Sequence, residues 1–149
     1  MEGTYPASLF DALRSADAEV RRSAIERLVV PGAEPAVFDR LAEIAVADPS
    51  DEVRLLAGMA AAVADVERAP RLYLQMLDDP AGRVRASAAS NLGRDWLGAL
   101  VDRLAIPPGT LDRLQRVARE DADRIVRRRA AESARQIEFA FRQGGHRVN

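Results

Sequence analysis

A short pattern recurs four times along this chain, and it constrains the fold more than any other feature. An acidic residue is followed five positions later by Val-Arg, and an alanine stands three positions after the arginine. The pattern runs from Asp48 to Ala57, from Asp79 to Ala88 and from Asp121 to Ala130. A fourth copy, from Ser15 to Ala24, has serine in place of the acid. Internal repetition of this kind predicts a protein built from stacked copies of one structural unit.

The spacing of the copies indicates what that unit is. The Val-Arg pairs begin at residues 20, 53, 84 and 126, so the intervals are 33, 31 and 42 residues. Periods of this size are typical of helix pairs stacked as a solenoid. We therefore predict a single all-α domain over residues 1–149. Its expected parts are repeats at 8–30, 35–66, 70–105 and 110–142, with a flexible tail at 143–149.

Apolar residues at helical spacing, together with prolines and capping residues, predict the individual helices. Thr110 is the expected cap of the eighth helix, and Val20 is expected on the buried stripe of the second. No segment shows sustained alternation with period two, so no sheet is expected. The predicted ranges are about 8–15, 17–30, 35–48, 51–66, 70–79, 81–92, 96–105, 110–121 and 123–141.

Each position of the repeated pattern has a physical role in a helical hairpin. The acid lies in the turn between two helices, where it can accept hydrogen bonds from free backbone N–H groups. The valine faces the core at the start of the second helix. The alanine follows one turn later on the same face and allows close helix packing. The arginine is near enough to pair with its own acid or with that of a neighbouring repeat.

The pattern Asp-x4-Val-Arg-x2-Ala resembles HEAT repeats, especially the bacterial HEAT-like class named after phycobilisome lyases. The resemblance covers roughly residues 8–142, and residues 79–93 are the closest copy. It implies a right-handed α-α superhelix of about four helical hairpins, in which acids and arginines form a ladder along the solenoid. Residues 107–134 also resemble the leucine-rich repeat variant, whose iron–sulfur segment needs cysteines that are absent here. By resemblance, the ladder residues are Asp48, Asp79, Asp121, Arg21, Arg54, Arg85 and Arg127.

Composition narrows the chemistry that the chain can perform. There is no cysteine, no lysine and one histidine, His146, which lies in a glycine-rich tail. The chain therefore has no cysteine for a thiolate site and no lysine for a phosphate-binding loop. Its one histidine is not held by a rigid neighbour, so a Ser-His-Asp triad is not expected. The paired acids at the turns recur in register, which favours capping over catalysis. We expect no catalytic residue, no cofactor and no metal, and no secretory signal or membrane span, so that the protein is not an enzyme and is cytoplasmic.

The arginines of the last helix are the candidate binding residues. Arg124, Arg128, Arg135 and Arg142 follow one another at intervals of four, seven and seven, which keeps them on one stripe. The alternative is a solvated face, because Glu132 and Glu138 lie three or four residues from these arginines. Phe139 and Phe141 are two residues apart and cannot both face one core, so one of them is expected to be exposed.

The sequence leaves three kinds of partner open. We expect a non-catalytic scaffold that binds another protein through the second helices of its repeats. The alternative is nucleic-acid binding through the C-terminal arginines, although the sequence pI of about 5.9 is low for a DNA-binding protein. Self-association is the third. Residues 1–79 carry 8 Arg and 15 acids, giving −7, and residues 80–149 carry 14 Arg and 8 acids, giving +6. Two copies could therefore pair antiparallel, with oppositely charged halves in contact. A bilin lyase is disfavoured because cysteine is absent.

Overall fold

The structure, a computed structural model, describes residues 7–94 and 106–143. Within these ranges every regular element is a helix, which confirms the expected all-α class. None of the described helices is sufficiently long and apolar to cross a membrane. The expected helix at 96–105 and the residues 144–149 of the expected tail lie outside the described residues. The helices are α1 (Ala7–Ala12), α2 (Ala18–Leu28), α3 (Pro35–Ala47), α4 (Asp51–Ala64), α5 (Ala69–Met76), α6 (Gly82–Leu92), α7 (Thr110–Glu120) and α8 (Arg124–Gln143).

The chain divides into two compact units, Met1–Leu72 and Tyr73–Asn149, with the boundary inside α5. In the N-terminal unit, α4 packs against both α3 and α2, and α1 packs against α2. In the C-terminal unit, α8 packs against both α7 and α6. The second helices of consecutive repeats thus contact each other within each unit. One continuous solenoid over residues 1–149 stays a prediction.

The helix ends follow local sequence chemistry. Pro35 opens α3, where the missing N–H costs no hydrogen bond. Ser50 caps α4 by accepting from the backbone N–H of Val53 at 3.4 Å. The expectation for Thr110 was wrong, because the cap position of α7 is Gly109, with φ of 82° in the left-handed region. The buried Thr110 hydroxyl donates instead to the carbonyl of Pro107 at 2.7 Å. α2 and α4 each end two residues before the expected position.

Most valines and alanines of the repeated pattern belong to the buried core. The valines at 53, 84 and 126 and the alanines at 57, 88 and 130 are buried. Val20 is the exception, since 42% of it is exposed, and its expected place in the core was wrong. The preceding helix, α1, has only 6 residues and covers part of α2. Val20 therefore lines an open cavity of about 360 Å³ together with Leu9 and Ala12.

Candidate functional site

All four turns of the repeated pattern are fastened in the same way. In each copy, Nη1 of the arginine donates to the backbone carbonyl six residues earlier, at the position of the acid. Because this bond depends only on the main chain, it is present also where serine replaces the acid. The pairs are Arg21 with Ser15 at 2.8 Å, Arg54 with Asp48 at 2.7 Å, Arg85 with Asp79 at 2.8 Å and Arg127 with Asp121 at 2.7 Å.

The side chain at the acid position closes the turn from the other direction. It accepts a hydrogen bond from the backbone N–H two residues later, as an aspartate commonly does in a turn. The Ser15 hydroxyl makes the same bond, to the N–H of Asp17 at 3.1 Å. In the other copies the pairs are Asp48 with Ser50 at 2.9 Å, Asp79 with Ala81 at 2.8 Å and Asp121 with Asp123 at 2.8 Å.

Within each of the two units, an ion pair between described residues joins one turn to the next. Arg21 donates to Asp48 from Nε at 2.7 Å and from Nη2 at 2.9 Å. Arg85 donates to Asp121 from the same two atoms at 2.9 and 3.0 Å. Both are two-point contacts, which hold a carboxylate in one orientation. Arg21 and Asp48 are each only 8% exposed, so little solvent screens this pair.

These contacts lower the pKa of Asp48 and Asp121. Burial alone raises the pKa of Asp48, but the hydrogen bonds from Arg21 and the Ser50 N–H, with the charges of Arg21 and Arg54, outweigh it. Burial likewise raises the pKa of Asp121. The hydrogen bonds from Arg85 and the Asp123 N–H, with the charges of Arg85 and Arg127, outweigh that effect and lower the pKa. Both carboxylates therefore bind protons more weakly in the folded chain than in the unfolded chain.

This difference predicts how stability depends on pH. A carboxylate whose folded pKa is lowered stabilises the fold above its unfolded pKa of about 4, and that contribution is lost as the pH falls through the folded value. We expect the free energy of unfolding to fall steeply below about pH 4. In the double variant Asp48→Asn and Asp121→Asn the fall is expected to be shallower. Urea unfolding monitored by circular dichroism between neutral and strongly acidic pH measures both curves. Parallel curves would contradict the assignment to these two groups.

The exposed side of α8 carries the four arginines that the sequence indicated. Arg124, Arg128, Arg135 and Arg142 are all exposed. Glu132 pairs with Arg128 at 3.1 Å, and Glu138 pairs with Arg142 at 3.7 Å. Arg124 and Arg135 have no acidic partner among the residues that the structure describes. The stripe therefore combines two compensated and two uncompensated charges.

Two large apolar side chains are exposed beside these arginines. Phe139 is 63% exposed and Ile125 is 61% exposed, the highest values among the large apolar residues described. At about 100° per residue, they lie on the same side of α8 as the stripe. Phe141 is partly buried, which confirms that only one of the two phenylalanines is fully exposed. We call this surface the α8 face, and it consists of Arg124, Ile125, Arg128, Arg135, Phe139 and Arg142.

A groove with a mixed polar and apolar lining runs beside the α8 face, between α6 and α8. Two depressions of about 370 and 300 Å³ meet there, since both are lined by Ser90, Arg94 and Arg129. Ile125 belongs to both the groove and the α8 face, so the two surfaces are continuous. We call this feature the α6–α8 groove; its other main lining residues are Arg83, Ser87, Asn91, Glu132, Ser133 and Gln136.

Sequence reasoning missed the groove, although the repeat contains a signal for it. When the third and fourth copies are aligned on Val84 and Val126, Ser87 aligns with Arg129 and Arg94 aligns with Gln136. Aligned positions on neighbouring second helices lie on the same side of a repeat stack. The alignment could therefore have located these residues on one surface, whereas the arginine stripe was sought on a single helix.

The α8 face and the α6–α8 groove offer hydrogen-bond donors and apolar surface, which are the features that bind a partner molecule. Within residues 7–94 and 106–143, no three His, Cys, Asp or Glu side chains are grouped as metal ligands would be. Comparison with protein-family models, with curated proteins and with solved structures finds no match. The function is therefore inferred from the chemistry of the α8 face and the α6–α8 groove.

Proposed function

We propose that this chain is a non-catalytic helical-repeat module of the HEAT-like type that binds another protein through the α8 face and the α6–α8 groove. One observation carries the proposal: Phe139 and Ile125 are largely exposed among arginines on one helix. Aromatic residues and arginine are enriched at the energetic centres of protein interfaces. The recurring turn geometry of the four copies supports the HEAT-like assignment.

The chemistry of the surface indicates the character of the partner. Covering Phe139 and Ile125 removes apolar area from water, at about 1.5–3 kcal/mol for each side chain that becomes fully buried. Arg124 and Arg135 favour a segment that carries acidic residues. Ser87 and Ser90, which are partly exposed in the groove, supply polar contacts beside Ile125. We infer a partner segment with one or two apolar side chains flanked by Asp or Glu.

Nucleic acid is the second candidate, and one observation favours it. Arg124 and Arg135 are exposed without an acidic partner among the described residues, and Phe139, one turn beyond Arg135, offers a ring on which a base can stack. Against this, Glu132 and Glu138 lie within the same surface and would repel phosphates. The mixed charge and the two apolar residues fit a protein partner better.

Replacing Phe139 by alanine is expected to release the partner while the fold is retained. Truncation of a central aromatic residue costs about 2 kcal/mol or more, which corresponds to roughly 30-fold weaker binding. The measurement is affinity capture on the immobilised full chain, followed by titration of each retained protein. Val46→Ala is the matched control, because Val46 is an exposed apolar residue on α3 and does not belong to the α8 face. If the Phe139→Ala variant binds the partner as tightly as the Val46→Ala variant does, the proposed surface is refuted.

The same preparations separate the two candidate functions. Labelled random duplex and single-stranded DNA are titrated by fluorescence anisotropy at several salt concentrations. Micromolar binding that weakens steeply with salt, and is lost in the variant Arg124→Ala with Arg135→Ala, would establish the nucleic-acid function instead. Absence of binding at low salt would leave the protein partner as the function to pursue.

A further inference from the structure

Arg127 differs from its counterparts in one respect. Like Arg21 and Arg85, it uses Nη1 to bind two carbonyls of its own turn, those of Asp121 at 2.7 Å and Ala122 at 3.1 Å. In Arg21 and Arg85 the other edge, formed by Nε and Nη2, holds an aspartate at two points. The same edge of Arg127 has no acceptor among the residues that the structure describes. Its guanidinium group is thus held in the orientation that binds a carboxylate, and no described residue occupies the binding edge.

We infer that the open edge of Arg127 is a docking site for a carboxylate carried by the helix–helix turn of a different protein. A guanidinium group already fixed by two carbonyls loses little freedom when an anion binds, which favours binding. The side chain is only partly buried, so an incoming group can reach it. In both filled sites the carboxylate also accepts a backbone N–H two residues later, so a turn presents it in the required orientation.

A second copy of this chain is a poor occupant of the site. The turn that would follow Arg127 in a head-to-tail stack is that of the first repeat, where Ser15 replaces the acid. The hydroxyl of Ser15 is uncharged and already accepts from Asp17. The acids of the other turns, Asp48, Asp79 and Asp121, are engaged within the chain. None of the four pattern turns therefore offers a free carboxylate with which a second copy of the chain could fill the Arg127 site.

This site is distinct from the α6–α8 groove and from Phe139, which lies twelve residues, or about 18 Å, further along α8. Arg127 lies two residues from Arg129, which corresponds to about 200° around the helix axis. It therefore faces away from the α6–α8 groove. Loss of binding at Phe139 and loss of binding at Arg127 are distinct results, and either proposal can fail while the other stands.

The test follows the Nε–H resonance of Arg127 by NMR in the unaltered full chain, assigned with Arg127→Lys. Three probes are titrated at constant ionic strength: acetate, the turn peptide N-acetyl-Asp-Pro-Ser-amide, and its Asn-Pro-Ser counterpart. We expect a saturable shift with a dissociation constant on the order of 10 mM for the aspartate peptide, as a single charge-assisted two-point contact provides. Binding of the asparagine peptide should be at least about fivefold weaker, because its amide carries no charge.

Two other arginines in the same spectra are internal controls. Arg27, on α2, is exposed and has no carbonyl anchor among the described residues, so its resonance should shift little and without saturation. Arg85 already holds Asp121 and should not respond. An Arg127 response no larger than that of Arg27, or equal binding of the two peptides, would overturn the site. Loss of the free Arg127 resonance when the chain alone is concentrated would show that a second copy fills it, and would overturn the assignment to a different protein.

Discussion

Replacing Asp48 by alanine is expected to lower the free energy of unfolding by about 3–5 kcal/mol, because the change breaks a buried ion pair from one side. Arg21, only 8% exposed, would keep its two backbone carbonyl contacts and lose the carboxylate that neutralises it. A buried charge without its partner costs much more than the intact pair contributes. The N–H of Ser50 would also lose its acceptor in the turn before α4.

Urea unfolding of three further variants separates these effects. Asp39→Ala, on the helix that ends just before Asp48, is the matched control, because the pair of Asp39 with Arg68 is exposed and should contribute at most about 1 kcal/mol. Asp48→Asn keeps an oxygen for the Ser50 N–H and should cost less than alanine. Replacing Arg21 and Asp48 together by leucine should cost less than Asp48→Ala alone, since no charge remains buried. If Asp48→Ala and Asp39→Ala lower the free energy of unfolding by the same amount, the buried pair stabilises the fold no more than the exposed pair does.

The turns could be predicted from the sequence because their contacts are short-range. The acid accepts from an N–H two residues away, and the arginine binds a carbonyl six residues away, so both partners lie within one copy. The prolines that mark helix starts also act on their own backbone. Gly109 was missed as the cap of α7, although the preceding prolines had indicated a break, because threonine is the commoner capping residue of the two.

What could not be predicted depends on which helices become neighbours. Val20 has the same place in the pattern as Val53, but α2 packs against the 6-residue α1, whereas α4 packs against both α2 and the 13-residue α3. The α6–α8 groove brings Ser90 and Arg129 to one surface across a long stretch of sequence. The helical spacing did predict that the arginines of α8 are exposed on one side, because that property belongs to a single helix. The identity of the partner is not contained in that spacing.

The second large effect is expected at Gly93, where α6 ends against α8. A Cβ atom added there would lie 2.4 Å from both Cβ and Oγ of Ser133, and 2.5 Å from its Cα. Ser133 cannot turn aside, because it is buried and its hydroxyl donates to the carbonyl of Ala89 at 2.6 Å. The φ angle of Gly93 is −109°, which alanine adopts without strain, so the whole cost is steric. Gly93→Ala should therefore separate the two helices and destabilise the C-terminal unit by about 3 kcal/mol, the upper part of the range for overpacking.

Two comparisons, again by urea unfolding, test this explanation. Gly32→Ala is the opposite case, because no atom lies within 4 Å of the added Cβ but φ is 68°. It should cost about 1 kcal/mol, the usual penalty for a left-handed residue other than glycine. Adding Ser133→Gly to Gly93→Ala removes the clashing Cβ and Oγ and leaves the backbone Cα at 2.5 Å. The stability should then recover only in part, because the clash with the backbone of α8 remains, the hydrogen bond of Ser133 to Ala89 is lost, and glycine is disfavoured inside a helix. A cost for Gly93→Ala no greater than that for Gly32→Ala would show that the helices can move apart freely, and the α6–α8 groove would then have no fixed width.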